Sequence, residues 1–291
     1  MTITDSFNFA TNYKDDPKLR KSFNDLTQKI YGFDFEDWYK EGYWGDSYIP
    51  YSLAAGGRMI ANVSVSIMDF LVSGKKKKAV QIGTVMTDID YRHQGLSRYL
   101  MDIVLAEYQD KCDLFFLFAN DSVIDFYPKF GFEKAAEYEC SKKVEAGYVP
   151  YSCRKINIDR PEDKQLLTRL VLNALPIAEV SLQNSAGLVM FYCNSVMKNS
   201  IYYIAELDIA VIAEYGENSL HILDIYSEKP FELAKVIYSL VKNGNERVFL
   251  GFSPLNNEGF SLNLRREENT TLFVKGENIL EKAMFPVLSH T

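Results

Sequence analysis

With 291 residues, 47% of them apolar, the chain has material for two domains of ordinary size and for well-packed cores. A formal net charge of −7 lacks the basic footprint of a nucleic-acid binder and suits a cationic partner such as an amine. The four cysteines, Cys112, Cys140, Cys153 and Cys193, form no C-x-x-C pair, so a zinc or dithiol reading has no support and free thiols in a reducing compartment are expected.

Apolar residues at Leu19, Phe23, Leu26 and Ile30 recur at helical steps and predict an amphipathic helix over 18–30. Asp34 can cap a second helix over 35–40. The stretch that follows holds both tryptophans, Trp38 and Trp44, with Tyr43 between them. Residues 47–54 and 58–71 read as strands joined by Gly56-Gly57, a hairpin signal. Ser73-Gly74 and the run Lys75 to Lys78 read as the next turn, a solvated hairpin tip. Val80 to Asp88 is an apolar strand, and Leu100, Ile103, Val104 and Tyr108 place a helix from about Ser97. Between them lies the polar turn Arg92-His93-Gln94-Gly95-Leu96-Ser97. A strand over 114–119 ends at Asn120, a short helix carries Phe126-Tyr127, and 133–144 returns as a strand.

Strand, small-residue turn and helix start form an anion cradle, because the first backbone N–H groups of a helix have no partner and point outward. Gly95 lets an anion approach the backbone, and Ser97 is small enough to cap. The spacing is neither G-x-x-x-x-G-K nor G-x-G-x-x-G. Arg92-x-x-Gly95-x-Ser97 resembles motif A of the GCN5-related N-acetyltransferases (GNAT), with Ser97 where that family usually has Gly or Ala. Asp125 to Phe132, DFYPKFGF, is similar to the family's F/L-Y-x-x-x-G-F signature.

The resemblance spans about residues 1–145 and implies an α/β (α+β) fold with a mixed, mostly antiparallel central sheet. It implies acetyl-CoA as cosubstrate, no metal, and transfer of an acetyl group to a primary amine of a small molecule or peptide. Pantetheine lies along Val85-Met86-Thr87, and the pyrophosphate sits on Arg92, His93, Gln94, Gly95, Leu96, Ser97 and Arg98. Tyr127 occupies the general-acid position, against a plain core tyrosine on the residues alone. Asn120 either bonds the pantetheine arm or caps the segment after it. Trp38, Tyr43 and Trp44 either wall the acceptor pocket or form an aromatic mini-core. The base stays open among Glu36, Asp37, Asp88 and a water chain, since Gln81 stands where related enzymes carry a Glu. A non-catalytic acyl-CoA-binding regulatory module is the alternative function.

Residues 147–161 are polar, contain two prolines and read as a linker between a domain over 1–146 and another over 162–291. Helices over 162–175 and 186–196, strands over 201–206, 209–215 and 220–226, a helix over 231–241 and a strand over 247–252 repeat the first half's order. That order predicts a degenerate second GNAT-like copy, in which Ser227-Glu228-Lys229-Pro230 replaces the glycine loop and Glu228 repels a pyrophosphate. The likeness to tandem acetyltransferases of the enhanced-intracellular-survival type is partial. The polar N-terminus lacks a signal pattern, and no apolar run approaches ~18 residues, the length of a membrane helix. A cytoplasmic monomer or homodimer without nucleic-acid or membrane partners is expected.

Overall fold

Asp16 opens the first long helix, Pro17–Tyr31, by accepting hydrogen bonds from the N–H groups of Lys18 (2.8 Å) and Leu19 (3.1 Å). Such a cap is worth about 1 kcal/mol. Gly32, in the left-handed region, ends the helix. The computed structural model describes residues 3–145, 147 and 150–290. Among these, the strands form two mixed sheets, of eight and seven strands.

The first sheet runs in the order Asn8–Thr11, Tyr48–Ala55, Arg58–Val72, Lys75–Thr87, Leu114–Ala119, Thr271–Gly276, Glu133–Lys134, with Val180–Gln183 also paired to Arg58–Val72. Its one parallel pair is Lys75–Thr87 beside Leu114–Ala119. Helix Pro17–Tyr31 covers one face, with Phe23 and Leu26 against Ala54, Met59 and Met86. Helix Leu96–Tyr108 covers the other, with Leu100 and Val104 against Leu53 and Ile60. Met59 and Ile60 are neighbours on one strand, so they point to opposite faces. The lysine run is not a hairpin tip. Ser73 and Gly74, both at positive φ, make the turn, and Lys75 to Lys78 begin the strand. Lys77 pairs with Glu277 and Lys78 with Asp69.

The second sheet runs Ser261–Leu264, Tyr138–Lys143, Arg247–Leu250, Ser219–Ser227, Ile209–Tyr215, Ile201–Ile204, Arg154–Lys155. Its only parallel pair is Ser219–Ser227 beside Arg247–Leu250. Helices Pro161–Leu172 and Ala186–Asn194 pack on Ala210 and Ile212; helix Leu233–Leu240 packs on Ile209 and Val211 from the other side.

The strand expected over 133–144 is two strands in two sheets. Glu133–Lys134 stays in the first, and Tyr138–Lys143 crosses into the second. Glu137 sits at the crossing, and its carboxylate accepts the N–H of Phe285 at 2.9 Å. Burial pushes that carboxyl up to about 7. In exchange Thr271–Gly276 inserts between Leu114–Ala119 and Glu133–Lys134 of the first sheet. The stretch expected as a linker contributes the strand Arg154–Lys155.

This exchange makes the two halves interdependent. Leu272, Phe273 and Val274 are all buried in the first sheet, Phe273 completely. Losing one large core side chain costs about 3–5 kcal/mol. Residues 1–146 expressed alone are expected to show no cooperative unfolding transition in urea and to bind a hydrophobic dye, whereas the full chain unfolds cooperatively. A cooperative transition for the fragment would show that the inserted strand is dispensable.

Candidate active site

The two parallel strands of the first sheet pair only over Ala79–Gln81 and Leu114–Phe116. Beyond Gln81 they part. The far end of Lys75–Thr87 stays paired to Arg58–Val72 on one side, and its other edge has no strand partner among the described residues. A bulge accompanies the parting. Asn62 faces Met86 and Ser64 faces Gly83, so Val63 stands opposite both Thr84 and Val85. Thr84 sits at φ 46°, rare for a β-branched residue.

A buried polar network holds this conformation. Asn62, fully buried, donates through Nδ2 to the Thr84 carbonyl and to Ser64 Oγ, both at 2.9 Å. It accepts from Ser52 Oγ at 2.8 Å, and Ser52 is in turn hydrogen-bonded to Tyr13 Oη at 2.6 Å. Tyr48 Oη meets Thr84 Oγ1 at 2.8 Å. Tyr31 donates to the Val85 carbonyl at 2.8 Å. None of these seven residues stood out in the sequence. Ser52, Asn62, Ser64 and Thr84 signal only polarity inside apolar strands, which a surface strand shows as well.

The parted strands open onto a cleft of about 780 Å³. Val85, Met86, Thr87, Arg92, His93, Gly95, Leu96, Ser97, Arg98 and Tyr127 all line it; Gln94 and Asn120 do not. Gly95 is the residue before helix Leu96–Tyr108, at φ 78°, and no side chain caps that helix. Its first N–H groups therefore face the cleft without a side-chain partner. Ser97 does not cap, because its hydroxyl is hydrogen-bonded to that of Thr87 at 2.8 Å. Arg92, Arg98 and Lys129 give the cleft positive side chains in a protein of net charge −7.

Tyr127 opens a short 3-10 turn, Tyr127–Phe130, ended by Gly131 in the left-handed region. Its ring packs on Phe132 and on Phe273 of the inserted strand, at centroid distances of 6.3 and 5.9 Å. Its hydroxyl has no hydrogen-bond partner among the described residues, and burial pushes the phenol well above its usual pKa. Asn120 is exposed and its side chain caps nothing.

Other expected residues lie elsewhere. Trp38 and Trp44 are buried and stacked at 5.6 Å in a cluster with Phe23, Phe35 and Tyr48, so they form the aromatic core rather than a pocket wall. Trp38 Nε1 donates to the Gly187 carbonyl at 2.8 Å. A Cβ on Gly187 would stand 2.5 Å from the Tyr43 carbonyl oxygen, so only glycine lets helix Ala186–Asn194 dock here. Tyr43 is half-buried, its hydroxyl 3.5 Å from Thr168 Oγ1. Glu36 is bound by Arg20 Nε at 3.0 Å, a hydrogen bond that holds its carboxyl below the usual range. Lys29 does the same to Asp88 at 2.8 Å. Carboxylates held ionised this way are weak bases. Neither they nor the exposed Asp37 line the cleft.

Residues 18–135 match the family model for an acetyltransferase (GNAT) domain. The whole fold resembles a conserved protein of unknown function from Enterococcus faecalis, described as a probable N-acyltransferase. It is 16% identical, with 92% of this chain and 71% of that one covered and a TM-score of 0.61. It also resembles a GCN5-related N-acetyltransferase from Kribbella flavida (14% identity, 94% and 72% covered, TM-score 0.56) and Eis1 from Mycobacterium abscessus (11%, 88% and 70%, 0.53). At these identities the likeness is one of fold. No curated protein sequence matches the chain. The family model supports acyl transfer in general terms, and the structural likeness supports the fold. Residues 18–135 thus carry a GNAT acetyltransferase domain, of the GCN5-related N-acetyltransferase type.

If Asn62 holds the bulge, Asn62→Ala leaves the Thr84 carbonyl and the Ser52 and Ser64 hydroxyls short of a buried partner. Stability should fall by roughly 2–4 kcal/mol, since each such group costs about 1–3 kcal/mol. Urea denaturation measures this, and a loss below about 0.5 kcal/mol, the usual range for an inconsequential surface change, would mean that the network is not what holds Thr84.

Proposed function

We propose that the protein transfers an acetyl group from acetyl-CoA to a primary amine of a small molecule or peptide, by direct attack in a ternary complex. The observation that carries this reading is convergence: the free strand edge, the uncapped helix start and Tyr127 line one cleft. Pantetheine pairs with the free edge at Val85 to Thr87 as an added strand. The pyrophosphate rests on the N–H groups that open helix Leu96–Tyr108 and on Arg92 and Arg98.

The neutral amine attacks the thioester carbonyl, the C–S bond breaks, and the thiolate sulfur gains the equivalent of the proton that the nitrogen loses. A backbone N–H on the bulged strand stabilises the oxyanion. Tyr127 holds its proton at any working pH, because burial raises its pKa. It donates a hydrogen bond to the sulfur as negative charge develops there and serves as general acid. The amine's own proton leaves to solvent, since the candidate carboxylates lie outside the cleft lining.

The second half is read as a degenerate copy that does not bind CoA. Its parallel strands also part after three to four paired residues, with a bulge where Asp224 faces Ile212 and Ile222 faces Ala213. The chain's own segment fills the gap. Leu175 N–H donates to the Ser227 carbonyl (2.8 Å), Glu179 N–H to that of Ser253 (2.8 Å), and Leu255 N–H to that of Ile177 (3.2 Å). Glu228 pairs with Arg169 at 2.7 Å, but Asp208 shares that guanidinium at the same distance, so the trio keeps a net negative charge.

Calorimetry with acetyl-CoA should therefore give one site per chain. Gly95→Glu puts a side chain at a positive φ and a negative charge at the cradle, where a Cβ itself meets nothing within 4 Å. Affinity should fall by more than about tenfold, as a lost charge-assisted contact is worth roughly 1.5–3 kcal/mol. Unchanged affinity in the folded variant would remove the cradle from the reading.

Tyr127→Phe keeps the ring and its packing and deletes the proton donor. Thiol release with an amine acceptor panel should slow by about 10²–10⁴-fold while acetyl-CoA affinity stays within a few-fold. A variant with normal turnover and lower stability would make Tyr127 a packing residue.

A further inference from the structure

A second cavity, of about 300 Å³, lies in the other half of the chain and shares no lining residue with the acetyl-CoA cleft. It opens beside the bulge of Ser219–Ser227, between that strand, the segment that fills the gap and the start of helix Ala186–Asn194. Leu175, Ile177, Leu182 and Phe252 give it apolar walls. Asp224 supplies a carboxylate to the same cavity.

Asp224 is short of a counter-charge. One carboxylate oxygen accepts its neighbour Ile225's N–H at 2.8 Å, and the other accepts the hydroxyl of Tyr226 at 2.9 Å. Both donors are neutral, and no Lys, Arg or His forms an ion pair with Asp224 among the described residues. Its titratable neighbours are the Tyr226 phenol, which burial holds well above its usual pKa, and the buried thiol of Cys193, which burial pushes up to about 12; both stay neutral. Burial raises the Asp224 carboxyl to about 6, so near neutral pH it is ionised in a poorly solvated place. An unpaired carboxylate in apolar surroundings is costly unless a cation meets it. A metal ion is a poor match, because no group of three or more His, Cys, Asp or Glu converges here or elsewhere among the described residues. One carboxylate in a small cavity with both polar and apolar walls matches a single ammonium head with a hydrocarbon body.

We propose that this cavity binds a small organic ammonium ion, its charge on Asp224 and its hydrocarbon body against Leu175, Ile177, Leu182 and Phe252. The site is separate from the proposed acetyl-transfer cleft and does not depend on that reading. One of its walls, Val180–Gln183, is hydrogen-bonded to Arg58–Val72, the strand that carries Asn62. A bound amine therefore touches the sheet that forms the acetyl-CoA cleft.

Calorimetry on the full chain with butylammonium, phenethylammonium and cadaverine chlorides tests this, with 2-phenylethanol as the uncharged control. At least one of the amines should bind saturably, and the alcohol roughly tenfold or more weaker. Asp224→Asn keeps the size of the side chain and removes its charge; amine affinity should drop by about tenfold or more while acetyl-CoA affinity is unchanged. Ser185→Trp, at the half-buried start of the helix lining the cavity, leaves the carboxylate and fills the space, and it too should abolish amine binding. This second variant decides the matter if Asp224→Asn fails to fold. Absence of saturable binding by all three amines would overturn the proposal. So would equal affinity for amine and alcohol, or amine binding that survives the folded variants. Amine binding that survives both variants and competes with acetyl transfer would place the amine in the catalytic cleft instead.

Discussion

The hydrogen bond from Asn62 to the Thr84 carbonyl is the contact on which the cleft depends. A strand that kept its register past Gly83 would present the same alternating face to its neighbour and continue to pair. The extra residue at Thr84 breaks that register and turns the strand edge away from Leu114–Ala119. Once the edge is free, the backbone groups from Gly83 to Thr87 need partners from outside the sheet. Tyr31 satisfies one, the Val85 carbonyl. Asn62 satisfies the Thr84 carbonyl, and Arg92 Nε meets that of Thr87 at 3.4 Å; an edge with no strand partner is the physical requirement for a ligand that pairs like a strand. The positive φ of Thr84 is thus a strain held by a dry polar network, and it lies where the ligand is proposed to bind.

The same device occurs twice in the molecule with opposite results. Both halves hold one parallel pair that parts at a bulge. In the first half the gap is lined by Arg92, Gly95, Ser97 and Tyr127 and stays open. In the second half the segment 175–179 bonds to both sides of the gap. A chain segment is a strong competitor for such a slot, because its entropy of association is already lost on folding, whereas a free ligand loses it on binding. Self-occupation closes the second slot whatever the charge of Glu228, which shares Arg169 with Asp208.

Much of the first half was legible because its signals are local. The helix over 17–31 shows its stripe at Leu19, Phe23 and Leu26, and the loop at 92–97 is read from neighbouring residues. Val85 to Thr87 and Arg92, His93, Gly95, Leu96 and Ser97 share the cleft because they lie on one strand and the loop that follows it. What escaped was non-local. Tyr138–Lys143 has the alternation of any half-buried strand, and nothing in its own residues says that its partners are Arg247–Leu250 and Ser261–Leu264. Thr271–Gly276 fills a place in the first sheet although more than 120 residues separate it from the rest of that half in sequence. The tryptophans illustrate a different limit. An aromatic cluster on a loop reads alike as pocket wall or core, and only the stacking of Trp38 on Trp44 and the docking of helix Ala186–Asn194 decide for the core.

The strand exchange also bears on how the active cleft is supported. Phe273, on the inserted strand, contacts the ring of Tyr127, and the Lys275 ammonium donates to the Phe130 carbonyl at 2.9 Å within the same short turn. The turn that carries the proposed acid therefore rests on residues from the far end of the chain. A general acid works only if its hydroxyl is held within hydrogen-bond reach of the departing atom. In a 3-10 turn of four residues the local hydrogen bonds are too few to set that position. The inserted strand supplies the missing constraint from behind. A catalytic half closed by its own last strand would not need the second half for chemistry; here the second half's connection returns to complete the first sheet. Phe273 and Lys275, which follow the second half's strands in sequence, thereby brace the turn that carries Tyr127.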